Sequence, residues 1–163
     1  MRFTIYALAV LAVLTVSAGG LAAQTNVAFG GLKADTSLPV EVKADSLEVD
    51  QATGRAVFKG NVLVVQGEMR LTAAEIRVEY SADGKGIDKL YATGDVLIVN
   101  ASDAAEAQQA VYTIATGEVV MTGGVLLTQG QTAIAAQRMV IDLKTGTGRL
   151  EGQVSTTFTP GGN

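Results

Sequence analysis

The sequence predicts an all-β protein assembled from four copies of a two-strand unit. A repeated phrase, turns at matched places and alternating apolar residues together carry that prediction. TGRAVFKGNVLVVQG (53–67) and TGEVVMTGGVLLTQG (116–130) lie 63 positions apart and share 8 of 15 residues without a gap. Self-similarity at a fixed spacing marks a repeated supersecondary unit. Neither copy contains a histidine, a cysteine or a pair of acids suited to chemistry.

In chain order, the first strand is expected around LPVEV. Pro39 at its start suits an edge, where a missing N–H breaks no ladder. Each unit then opens with an alanine-led strand: ADSLEVD (44–50), AAEIRVE (73–79), AQQAVYT (107–113) and AQRMVID (136–142). Leu47 and Val49 align with Ile76 and Val78, with Ala110 and Tyr112, and with Met139 and Ile141. Such period-two alternation marks a strand with one buried face.

Thr-Gly follows at 53–54, 116–117 and 145–146, and the second unit uses SADGKG instead. Glycine supplies the positive backbone angles that tight hairpins need. Each returning strand contains a glycine (Gly60, Gly94, Gly123, Gly152), with a valine two positions on (Val62, Val96, Val125, Val154). A glycine inside a strand marks a bulge or bend. ASDAAEAQQA (101–110) reads as loop entering a strand. Units of about 29–34 residues, many short strands and glycine turns indicate a sandwich, a jelly roll or a β-solenoid.

The N-terminus predicts export. Arg2 precedes an uncharged apolar run, and small residues lead to Ala22 and Ala23. Residues 1–23 therefore read as a cleaved signal peptide. An uncleaved anchor is the competing reading, since no charge occurs between Phe3 and Gly31; the glycine pair and the alanines favour cleavage. Residues 24–38 read as a flexible leader, 39–158 as the folded domain and 159–163 as a disordered tail.

Composition excludes several function classes. Without cysteine there is no disulfide, thiol catalysis or lipid-modified cysteine, and an exported chain lacking disulfides fits a bacterial periplasm. Without histidine, the commonest general base and metal ligand is missing. A net charge of −4 argues against a nucleic-acid partner. Glu48, Asp50, Glu79 and Asp142 alternate outward as a solvated face. GTGRLEG (146–152) lacks the lysine of a phosphate loop and reads as a turn. Asn100-Ala101-Ser102 matches a glycosylation sequon, a pattern common by chance. The chain reads as no enzyme, and no cofactor or metal is expected.

The ordered series ADSLEVD, FKGNVLVVQG and TAAEIRVEY resembles the LptA/OstA-like family of periplasmic lipopolysaccharide-transport proteins, over roughly Leu38 to Phe158. The second unit departs from the pattern, reading ATGDVLIVN without the following Gln-Gly. The resemblance implies a twisted, open β-jelly roll whose interior shelters the acyl chains of lipid A. It implies head-to-tail stacking by strand addition, bridging an LptC-like inner-membrane protein to an LptD-like outer-membrane protein. The hydrophobic start also suits the membrane-anchored LptC type; the length and the GNV…QG phrase suit the soluble bridge.

In-facing repeat positions and matched family positions together give the expected lipid lining: Val40, Val42, Val49, Ile76, Val78, Tyr112, Ile114, Met121, Ile141 and Leu143. Thr36 is placed at the mouth, and the Tyr112 hydroxyl at the wet edge of the slit. The ordinary alternative for any one of these residues is closed core. The lining reading requires the inner wall to stay accessible to a guest. Two rival functions are a β-solenoid filament with a filled core and a glycan hydrolase. The hydrolase would need clustered acids beside an aromatic platform, and there is no tryptophan.

Overall fold

The computed structural model describes residues 25–28 and 30–160. The expected signal peptide and the last three residues of the expected tail lie outside them. The strands are β1 (Thr25–Ala28), β2 (Glu41–Lys43), β3 (Ser46–Asp50), β4 (Arg55–Gln66), β5 (Met69–Tyr80), β6 (Ile87–Asn100), β7 (Asp103–Thr113), β8 (Glu118–Gln129), β9 (Thr132–Asp142), β10 (Thr147–Glu151) and β11 (Ser155–Phe158). A 3-10 turn covers Gly30–Leu32. All the strands join one antiparallel sheet in the order β1-β10-β9-β8-β7-β6-β5-β4-β2, with β11 also on β9 and β3 also on β4. A solenoid is thereby excluded, because its coils would pair in parallel across repeats.

The repeated Thr-Gly turns have a common mechanism. The Asp50 carboxylate accepts from the amides of Ala52 and Thr53, and Asp142 accepts from Lys144 and Thr145 in the same way. An aspartate that bonds the amides two and three residues on mimics a backbone turn. Gly54 and Gly146 then close the hairpins at φ 64° and 69°.

The interior glycines are corners. Gly60-Asn61, Gly94-Asp95, Gly123-Gly124 and Gly152-Gln153 all have positive φ at both residues. In the first three pairs, two residues face one on the next strand, and the ladder shifts register there. A bulge of this kind bends a strand and adds twist. Only glycine fits the first position: a Cβ on Gly94 would lie 2.7 Å from the Ala74 Cβ, and one on Gly123 would lie 2.8 Å from the Gln108 Cβ. Each long strand is thus folded into two arms, and the four corners line up.

Burial follows from the bend. In the first arm, Val49, Ala56, Val78, Leu90, Tyr112, Val119 and Ile141 form one row across the sheet, and Leu47, Phe58, Ile76, Ala92, Ala110, Met121, Met139 and Leu150 form the next. In the second arm, Val42, Val64, Leu71, Ile98, Ala105, Leu127 and Ile134 form a row of their own. Apart from Leu47 and Val49, the residues of these rows belong to or pack on a single hydrophobic cluster. A buried isoleucine or leucine contributes about 1.5–3 kcal/mol, so the rows dominate stability.

Two sequence expectations need correction. Residues 24–38, expected as a flexible leader, contribute β1, the 3-10 turn and the fully buried Leu32. Their lack of any repeat pattern concealed this. ASDAAEAQQA (101–110), expected as loop entering the strand at 107–113, is strand from Asp103 onward, and the alanines of β7 fit the narrow interior.

Beyond these corrections, β1 and β2 are neighbours in the chain but sit at opposite ends of the sheet order. From β1 to β2 there are eight strand steps, about 38 Å at ~4.8 Å each. The twelve residues between Ala28 and Glu41 reach at most about 40 Å. They must therefore run fairly directly from one end to the other, as a belt.

Candidate functional site

The belt lies where the tips of the two arms face each other. Ala34 N–H donates to the Leu143 carbonyl (2.8 Å), at the tip of the first arm. On the second arm, Gln66 Nε2 donates to the carbonyls of Thr36 (3.1 Å) and Leu38 (2.8 Å), and Asn100 Nδ2 donates to that of Lys33 (2.6 Å). Beneath the belt, the Tyr112 hydroxyl donates to Gln66 Oε1 at 2.6 Å. That bond joins the arms across the mouth. Burial pushes the Tyr112 pKa up to about 12, although its bond to Gln66 pulls the other way.

Buried polar groups need partners, and here they are concentrated at the mouth. Gln66, Asn100 and Asp103 are all buried. Asp103 accepts from Ser102 Oγ (3.2 Å) and Gln129 Nε2 (2.7 Å). Among the described residues, Asn100 Oδ1 is buried without a hydrogen-bond partner. The Asn100 side chain is thus committed to the belt, and the sequon reading has no support in its burial. On the belt's outer side, the hydroxyl and amide of Ser37 hold Asp35 below the usual carboxylate range.

The expected lining residues fall into four groups. Ile76, Val78, Tyr112, Met121, Ile141 and Leu143 are fully buried or nearly so. Val40, Val42 and Ile114 are partly buried and packed on the same cluster. Val49 is 62% exposed although it shares a row with Ile141. Thr36 belongs to the belt and is half-buried.

Two expectations about openness change. The Tyr112 hydroxyl is dry and hydrogen-bonded rather than at a wet edge. The inner wall is covered through its middle by its own side chains rather than lying open. Apolar surface stays accessible at the β3 end, where Leu47 is 51% exposed and a cleft of about 670 Å³ is lined by Val49, Arg55, Arg77, Val78 and Tyr80. Sequence reasoning missed Gln66, Asn100 and Asp103. A polar residue at an in-facing strand position, as Gln66 is two beyond Val64, was the available signal.

Comparison with known proteins adds the family. The profile of the family described as "LptA/(LptD N-terminal domain) LPS transport protein" matches residues 41–147. An uncharacterized protein of Rhizobium meliloti is 26% identical over 113 residues, covering 65% of this chain and 61% of that protein. The lipopolysaccharide export system protein LptH of Pseudomonas aeruginosa is 38% identical over 53 residues, 32% of this chain and 30% of that one. The chain therefore spans less than two thirds of the length of these curated relatives. In fold, it superposes on the crystal structure of LptH, described as the LptA-homologous periplasmic component of a lipopolysaccharide transport device from Pseudomonas aeruginosa. The TM-score is 0.68 at 19% identity, covering 78% of this chain and 99% of that one. Spanning β2 to β9 and reaching the first residue of β10, the match of sequence to profile shows that this chain belongs to the LptA/(LptD N-terminal domain) family of lipopolysaccharide-transport proteins.

Proposed function

We propose that this chain is a periplasmic lipopolysaccharide-binding transport module that shelters the acyl chains of lipid A between its two arms. The observation that carries the proposal is the set of apolar rows running through the sheet, in a chain belonging to a transport family. Each exposed methylene costs about 0.8 kcal/mol, so one 14-carbon chain left in water costs on the order of 10 kcal/mol. Valine, isoleucine, leucine and methionine give non-directional contact, which lets cargo slide. The working unit begins at residue 25 rather than 39, because the belt and Leu32 complete the interior.

The sheet ends supply the second half of the reading. β3 and β2 form one end, and β11, with Phe158 72% exposed, forms part of the other. Unpaired strand edges pair with other chains. Unlike ends joining head to tail do not close into rings. The module thus stacks with itself and with LptC-like and LptD-like jelly rolls to bridge the two membranes.

Site-specific photo-crosslinking to lipopolysaccharide tests the lining. Probes at Tyr112 and Ile114 should give lipid adducts, and one at Glu48, on the outer face of β3, should give few. Equal adducts at all three positions would remove the sheltering role.

A further inference from the structure

Because the interior is covered through its middle, a guest needs a way into that part. The ladder from β4 to β9 continues through the corners, so the arms cannot part there without breaking strand pairing. At the mouth the closure is of another kind. Residues 30–38 make no strand ladder. They are held by a backbone bond from Ala34 to Leu143 and by amide side chains of Gln66 and Asn100 on three carbonyls. Leu32 is their fully buried apolar anchor.

We propose that residues 30–38 form a lid that lifts from Gln66, Asn100 and Leu143, admits long acyl chains sideways between the arm tips, and closes over them. The identity of the guest rests on the function proposed above; the lid itself rests on the geometry. Lifting trades side-chain hydrogen bonds for bonds to water and withdraws one leucine, while the strand ladders stay intact. Both ends of the lid remain tethered, through β1 on β10 and through β2 on β4. Re-closure is therefore intramolecular. The lid's departure uncovers Gln66 and then Tyr112, so the hydrogen bond that joins the arms becomes exposed to competing water.

The chain has no cysteine, so a designed disulfide can lock the lid cleanly. A Cβ built on Gly31 would lie 2.6 Å from the Asp103 Cγ, near where a cysteine sulfur at position 103 would sit. The double variant Gly31→Cys/Asp103→Cys serves as its own control and should take up a dansyl-labelled long-chain fatty acid when reduced. When oxidised it should do so at least tenfold more slowly. Equal rates in the two redox states would overturn the lid and place admission at the β3 end. Amide hydrogen exchange on the lipid-free wild-type protein gives a second test that needs no guest. The Ala34 amide should exchange at least a hundredfold faster than those of Leu71 and Ile98. Equal protection would also overturn the lid. If no acyl probe binds wild type in any state, the lipid-sheltering function falls, and exchange alone decides whether residues 30–38 open.

Discussion

Val49 and Ile141 stand in one row of one sheet face, yet Val49 is 62% exposed and Ile141 is fully buried. In the neighbouring row, Leu47 at 51% contrasts with Met139 in the same way. Residue type does not distinguish these positions, and strand alternation treats them alike. What differs is the place in the sheet order. β3 has a partner on one side only, whereas β9 lies inboard of β10 and β11 and faces the opposing arm. The rim shows the interior's chemistry to solvent; the middle hides it.

The largest test of that contrast is truncation. Ile76→Ala in the middle should cost about 2–5 kcal/mol in denaturant unfolding, the usual range for emptying a buried isoleucine site. Val49→Ala at the rim should stay within about 0.5 kcal/mol. Similar losses would show that the rim is packed in solution, as a stacked partner would make it.

A smaller effect is expected at the mouth. Tyr112→Phe leaves the buried Gln66 Oε1 without its donor, a loss of about 1–3 kcal/mol. The same hydroxyl predicts alkaline lability. Above about pH 10 an unfolded tyrosine loses its proton, while folded Tyr112 keeps it to about 12. The unfolded state then binds fewer protons, so stability falls as pH rises through this window, by about 2 kcal/mol at its upper end. Urea midpoints from pH 9 to 12 should drop less in Tyr112→Phe than in wild type. An unchanged slope would mean that the hydroxyl is hydrated.

Smallest of all is Leu47→Lys. Folding should change by no more than about 0.5 kcal/mol, while sedimentation should show weaker self-association, because lysine on an edge discourages strand addition. Unaltered association would move the stacking contact away from β3.

Most of the architecture was legible in the sequence, because each unit carries its own instructions. Thr-Gly and alternation specified the hairpins, and Gly60, Gly94, Gly123 and Gly152 marked the bends, whereas Asp50 and Asp142, read as a solvated face, also accept the turn amides. The positive φ of Asn61, Asp95 and Gln153 was not visible, since these residues adopt it only beside a corner glycine. Alternation placed Ile76, Val78, Tyr112 and Met121 on the inner face, but it cannot report which strand is an edge, so Val49 looked equivalent. The belt was illegible for a deeper reason. Its fastening depends on Gln66, Asn100 and Leu143, which lie 28 or more residues away in sequence. No local period encodes contacts of that range.

The corner motif also has a consequence for how such a protein changes size. Each hairpin brings its own bend, so duplicating one would lengthen the trough by two strands, about 10 Å, without altering its cross-section. The crossing from β1 to β2 would then span about 48 Å, beyond the full reach of its twelve residues. Even one duplication would therefore demand a matching insertion before residue 41.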